Sequence, residues 1–329
     1  MEQKRHSMPP FIYTLYINNR LCVLTKLEIY VKIRQKNYYL RMELVMKKKP
    51  TIALMYDFDK TLCDQDMQNY TFIPNLNMTD GEFWGECEKF RKKNYMEGIL
   101  GYMYYSMQIC EDKGIRFTKD YLRSCGKDIR FFKGVQNWFE RINQYGESLG
   151  VNIEHYVISS GIKEIIDGCA INDKFKRIFA CQYYFDDNGK AIWPKIAINY
   201  TQKTQYIFRI SKAAFDESDN KKVNDKMSDR IIPYSNMIYF GDGMTDIPCM
   251  TFVKKQGGTS IAVYPKGAKN KVTGLLLEER VNYICPADYQ EGSDLDSLVK
   301  CIIQEVKLSH TLLMKQRQQR QRESKNTTT

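Results

Sequence analysis

Apolar residues in this chain gather into short continuous runs separated by helical stripes. Ile52-Ala53-Leu54-Met55 is the first run, closed by the polar stretch that begins at Asp57. Four to six apolar residues between breaks read as a strand buried on both faces. Ile153 to Ile158, Met237 to Phe240 and Ser260 to Val263 repeat that pattern. Between them the spacing turns helical. Thr79-x-x-Glu82 is a capping box that predicts a helix to about Lys93. Met96, Leu100, Met103 and Met107 predict a second helix over 96–112, and Thr118 starts a third that ends near Gly126. Trp138, Phe139 and Ile142 share one face of a helix over 135–149. Further helices are expected from Ile162, from Lys203 to about Ala214, and over 294–314. Asp186-Asp187-Asn188-Gly189 marks a turn between two strand-like runs in 178–200. The charged run 216–230 reads as a solvated loop or a helix extension.

The order is therefore strand, helical insertion, helix, strand, helix, hairpin, helix, strand, helix, strand. Such alternation predicts an α/β fold: a Rossmann-like, mostly parallel sheet with helices on both faces. The boundaries expected are an N-terminal extension over 1–46, poorly ordered; a core of 47–66 and 132–314; a helical insertion over 67–131; and a disordered tail over 315–329.

Composition narrows the function. Of the 329 residues 43% are hydrophobic and 13% aromatic, enough for a sizeable core. No apolar run has the length of a membrane span, so no membrane is expected among the partners. The net charge of +11 raises the question of nucleic acid, but the charge sits at the ends. Residues 1–50 carry 11 Lys/Arg against 3 Asp/Glu, residues 301–329 carry 6 against 2, and the middle carries 33 against 34. A body without net positive charge offers no basic stripe for a phosphate backbone. Ten cysteines without a Cys-x-x-Cys pair and only three histidines argue against zinc. They read as free thiols of a reducing compartment. With no secretory signal evident, a cytoplasmic location is expected.

The candidate chemistry lies where the strands end. Asp57 and Asp59 follow the first strand, with Thr61 two residues on; Ser159-Ser160-Gly161 follows the second; Asp242 and Asp246 follow the third run, in Gly241-Asp242-Gly243-Met244-Thr245-Asp246. In parallel α/β sheets sites form beyond the carboxyl ends of strands. Several carboxylates at one locus do not stay charged without a cation. Oxygen ligands without His or Cys point to Mg²⁺, which binds phosphate oxygens readily. Ser159 and Lys203 add a hydroxyl and a positive charge for phosphate. The set predicts phosphoryl transfer rather than carbonyl chemistry.

Asp57-Phe58-Asp59-Lys60-Thr61, Ser159, Lys203 and Gly241-Asp242-Gly243-Met244-Thr245-Asp246 resemble, in order, the four motifs of the haloacid dehalogenase-like (HAD) hydrolase superfamily. The helical insertion is similar to the cap of its phosphoserine-phosphatase-like branch. The resemblance implies a phosphatase acting on a small phosphorylated metabolite through an aspartyl-phosphate, with Asp57 as nucleophile and Asp59 as general acid and base. It implies a Mg²⁺ site formed by the Asp57 carboxylate, the Asp59 backbone carbonyl and Asp242, with Asp246 supporting the metal or orienting Lys203. Ser159, Lys203 and Thr61 would bind the phosphoryl group, with Ser160 as the alternative to Ser159. Phosphoserine phosphatases carry a Glu shortly after the first motif; Asp66 stands there instead. A phosphotransferase or mutase, and a silent scaffold on this fold, are the alternatives.

Overall fold

The computed structural model describes residues 49–225 and 230–326; the N-terminal extension expected over 1–46 lies outside them. The chain builds one seven-stranded sheet in the order β4-β3-β2-β1-β5-β6-β7. The strands are β1 (Thr51–Tyr56), β2 (Asn152–Ile162), β3 (Arg177–Phe185), β4 (Ala191–Ile196), β5 (Met237–Gly241), β6 (Thr259–Tyr264) and β7 (Tyr283–Pro286). All neighbours pair in parallel except β3 and β4, which form the hairpin predicted around Asp186–Gly189. The longer helices are α1 (Asp80–Lys93), α2 (Gly98–Asp112), α3 (Lys119–Ser124), α4 (Val135–Ser148), α5 (Gln202–Lys212), α6 (Ile247–Lys255), α7 (Asn270–Leu277) and α8 (Asp294–Asn326). This is the mostly parallel α/β sheet that the alternation predicts.

β1 lies at the centre because both its faces are apolar: Ile52 to Tyr56 are fully buried. From it the chain winds one way through β2 and β3, then returns to β1's other side for β5, β6 and β7. The strand order thus reverses beside β1, and such a switch point opens a crevice at the carboxyl ends of the strands.

Side chains alternate across the sheet, so Tyr56 and Asp57 leave β1 toward opposite faces. On the α4 face, Tyr56 stacks on Phe240 (ring centroids 4.7 Å apart) and sits in a polar chain. Trp138 Nε1 donates to Tyr56 Oη at 2.8 Å, Tyr56 Oη lies 3.0 Å from His155 Nδ1, and His155 Nε2 lies 3.0 Å from Asn143 Oδ1. These partners assign a neutral imidazole protonated at Nε2. Burial holds the His155 pKa down to about 3.

The insertion is helical throughout, with two short turns, Met67–Asn69 and Phe72–Asn75, ahead of α1, α2 and α3. The capping box predicted at Thr79 and Glu82 is formed. Tyr183 Oη of β3 donates to Met103 O of α2 at 2.9 Å, so the insertion leans on the hairpin.

Several expectations need correction. The helix expected from Ile162 does begin there, with Ile162 as its N-cap, but it is the single turn Lys163–Ile166; the strand before it does not stop at Ser-Ser-Gly but continues through Ile162. The closing helix does not stop near 314 but runs to Asn326, through the segment expected to be disordered. Gln, Arg, Lys and Glu are good helix formers, and that stretch has no Gly or Pro to end the helix. Strand β7, unanticipated, extends the sheet beyond β6, and helix α7, also unanticipated, packs against β6 and β7. The nine described cysteines are free, eight of them buried. Among the described residues no helix is long and apolar enough to cross a membrane.

Candidate active site

Three adjacent strands deliver the site. The Asp57 N–H donates to Phe240 O at 2.9 Å, extending the β1–β5 ladder by one residue, so Asp57 is fixed by the sheet itself. Lys60 then takes a left-handed φ of 56°, a conformation costly for a residue with a Cβ, and the chain coils back with Leu62 N donating to Phe58 O at 2.9 Å. This tight turn holds Asp59 over the strand end. Asp59 Oδ1 accepts from Met67 N at 2.8 Å, which ties it to the start of the insertion.

On the other side of β1, the register of β2 against β3 shifts between Ile158 and Ile162, across Ser159-Ser160-Gly161. Ser159 is fully buried and its Oγ accepts from Gly161 N at 2.9 Å. Gly161 has no room for a side chain: a Cβ there would lie 2.0 Å from Met67 Cε. Ser160 O accepts from Tyr102 Oη of α2 at 2.8 Å. The hydroxyls of Thr61 and Ser160 are buried without a hydrogen-bond partner.

From β5 and α5 comes the charged centre. Lys203 Nζ lies 3.0 Å from Asp57 Oδ1 and 2.8 Å from Asp246 Oδ1, and all three side chains are nearly inaccessible. Asp246 also accepts from Tyr239 Oη at 2.8 Å on Oδ1 and from Asp242 N at 3.3 Å on Oδ2. Gly241 permits this: a Cβ there would meet Asp246 Cγ at 2.5 Å. One carboxylate oxygen from each of Asp57, Asp242 and Asp246 lies within 4.8 Å of the others.

Burial, then Asp246, pushes the Asp57 carboxyl well above the usual carboxylate range, against the pull of Lys203. Burial, then the Asp66 charge, raises Asp59 to about 8 despite the Met67 N–H. Asp242 is pushed up to about 7, again by burial first and Asp246 second. Burial opposes the Lys203 ammonium, but Asp246 and Asp57 outweigh it and keep the group charged. One buried lysine thus faces a surplus of carboxylates, the setting that a hard cation relieves.

The seven residues singled out from the sequence stand at the ends of three neighbouring strands or on the N-terminus of α5. The Asp59 carboxylate, gripped by Met67 N, is not in the cluster of Asp57, Asp242 and Asp246. Asp66 is not a free acid either: it pairs with Lys60 at 2.7 Å. Two residues escaped the sequence reading. Met67 supplies the N–H on Asp59, and Tyr239 supplies a third donor to Asp246. A tyrosine in an otherwise apolar strand was a usable signal, since a buried phenol needs a partner.

A family model described as "Putative Phosphatase" matches residues 52–261, well over half of the chain and all of these motifs. The chain belongs to this phosphatase family. An uncharacterized protein of Borreliella burgdorferi is 28% identical over 278 residues, covering 76% of this chain and 95% of that one. Among solved structures, a HAD family hydrolase from Salmonella enterica serovar Typhi aligns with a TM-score of 0.52 at 14% identity, covering 78% of this chain and 72% of that one. A phosphoserine phosphatase in apo form aligns with a TM-score of 0.48 at 15% identity, covering 76% and 98%. The phosphatase thus has the HAD hydrolase fold and is a phosphoric monoester hydrolase.

Proposed function

We propose that this phosphatase hydrolyses small-molecule phosphomonoesters through an aspartyl-phosphate on Asp57, with Mg²⁺ as cofactor. The observation that carries the reading is the placement of Asp57. Its Oδ1 rests 3.0 Å from Lys203 Nζ, which leaves Oδ2 as the attacking atom. In the first step Asp57 Oδ2 bonds to phosphorus, the ester P–O bond breaks, and Asp59 gives its proton to the leaving oxygen. Met67 N–H occupies Asp59 Oδ1, so the proton rides on Oδ2. In the second step Asp59, now ionised, takes a proton from water. That water attacks phosphorus, the acyl-phosphate P–O bond breaks, and phosphate leaves with the Asp57 carboxylate restored.

Lys203, held on Asp57, and Ser159 would bind the transferring group, and the unpaired Thr61 hydroxyl suits a phosphoryl oxygen acceptor. The donor set fits a magnesium site: one carboxylate oxygen from each of Asp57, Asp242 and Asp246 lies within 4.8 Å of the others, all hard oxygen donors, and the resemblance adds the Asp59 main-chain carbonyl as a ligand. Of these, Asp246 has its oxygens already engaged by Lys203, Tyr239 and Asp242 N. Bound there, Mg²⁺ supplies positive charge against the phosphoryl oxygens. The helical insertion serves as a cap: Met67 against Gly161 and Tyr102 on Ser160 O seat it on the strand ends, where it would keep bulk water from the acyl phosphate.

The test is phosphate release from a panel of phosphomonoesters with Mg²⁺ and with EDTA, in wild type and Asp57→Asn. Metal-dependent release that disappears in the variant is expected. A folded, Mg²⁺-binding protein that releases no phosphate from any ester would overturn the reading.

A further inference from the structure

Lys203 can do its work only if its ammonium points at Asp57, and nothing covalent in α5 ensures that. It is one of three donors to a carboxylate, Asp246, whose own orientation is set from behind. Asp246 Oδ1 receives Lys203 Nζ and Tyr239 Oη, each at 2.8 Å, and Oδ2 receives Asp242 N at 3.3 Å. Of these donors the lysine is a flexible chain and the amide is the longest contact. The phenol is the rigid one: Tyr239 is fully buried in the middle of β5, its ring fixed by the sheet and two χ angles.

We propose that Tyr239 is a positioning residue of the reaction. It holds the Asp246 carboxylate in the rotation that delivers Lys203 to Asp57 Oδ1. Without the phenol, Oδ1 loses the donor that fixes it against β5. The carboxylate is then free to turn about its Cβ–Cγ bond and to carry the ammonium off the nucleophile. Burial makes the effect sizeable, because hydrogen bonds to a charged group in a dry site are among the strong ones.

The inference rests on the phosphatase reading above, and its test separates the two. Tyr239→Phe keeps the ring and its packing. Its kcat/KM is expected to fall about tenfold, with KM for the ester and Mg²⁺ affinity nearly unchanged. A double-mutant cycle supplies a readout that a purely structural role would not move. If Tyr239 acts through Lys203, removing the phenol costs almost nothing once Lys203→Ala is present. A loss of equal size in both backgrounds, or a Tyr239→Phe enzyme within twofold of wild type, overturns the proposal. A crystal structure of Tyr239→Phe reads the same point without turnover, and decides it even if wild type releases no phosphate. Lys203 displaced from Asp57 supports the assignment; Lys203 unmoved at 3.0 Å defeats it.

Discussion

Tyr56 and Asp57 are neighbours in sequence, yet they open onto two different chemistries. On one face of the sheet the buried Trp138, Tyr56 and His155 form a neutral chain in which each ring donor has an acceptor, the last of them Asn143 Oδ1. On the other, Asp57, Asp242 and Asp246 cluster together, and the one buried ammonium, that of Lys203, pairs with Asp57 and Asp246. Both are buried. The neutral chain is complete by itself and can only add to stability. The charged one is incomplete, because its carboxylates outnumber its cation, and the unbalanced side is the one able to bind and transform a charged ligand. A buried polar network that satisfies itself is a structural device; one that does not is a candidate site.

The largest break in this contrast should come at the nucleophile. Asp57→Asn is expected to reduce phosphate release by more than about a thousandfold. It should not lower the thermal midpoint of the metal-free protein, because it removes a carboxylate that burial and Asp246 disfavour. Scanning calorimetry beside the kinetic assay checks both halves. The metal gives the next effect. Millimolar Mg²⁺ should raise the midpoint of wild type by several degrees through binding to the folded state, and EDTA should abolish the gain. In Asp242→Asn the midpoint should scarcely respond to either.

The neutral side answers to acid instead. His155 has a folded pKa of about 3 against an unfolded value of about 6.5, so between these the unfolded chain binds the extra proton. Its stabilising contribution is full above pH 6.5 and is lost as pH falls toward 3. On this count the protein should lose on the order of 3 kcal/mol between pH 7 and 4. Urea titrations of His155→Gln across that range should show a shallower slope; an unchanged slope would mean the imidazole is charged in the fold. The smallest effect expected is that of Tyr56→Phe, about 1–3 kcal/mol from leaving Trp138 Nε1 and His155 Nδ1 without a partner. Its kcat should stay near that of wild type, since no atom of this chain touches the charged cluster.

What the sequence disclosed and what it hid follow the same division. The sheet was legible because its strands are continuous apolar runs, and the candidate site because carboxylates cluster just past their ends. Asp57, Ser159 and Asp242 could be placed at the carboxyl ends of strands from the sequence; that those strands are neighbours is a property of the sheet order. Tyr239 was legible only in part: a phenol within an apolar run signals that it needs a partner, but the run does not show that the partner is Asp246. Met67 was hidden because it contributes a backbone N–H, which no side-chain pattern records. The true end of β2 depends on its lateral pairing with β3, a property of the sheet rather than of residues 159–162. The length of α8 was underestimated by weighing polarity over helix propensity, although Gln and Arg favour the helix.

The central position of β1 also sets an order of events for the growing chain. Of the described elements β1 is made first, and β2 can cover one of its edges once residue 162 is free. Its other edge pairs Ala53 with Met237 and Tyr56 with Phe240, so it must wait until β5 has been made. Throughout that interval an apolar strand, fully formed on one side, presents open backbone groups on the other, the kind of edge that recruits foreign strands. A chain truncated before residue 237 should therefore be prone to self-association as well as inactive, and chaperone demand should be greatest while the second half of the sheet is being synthesised.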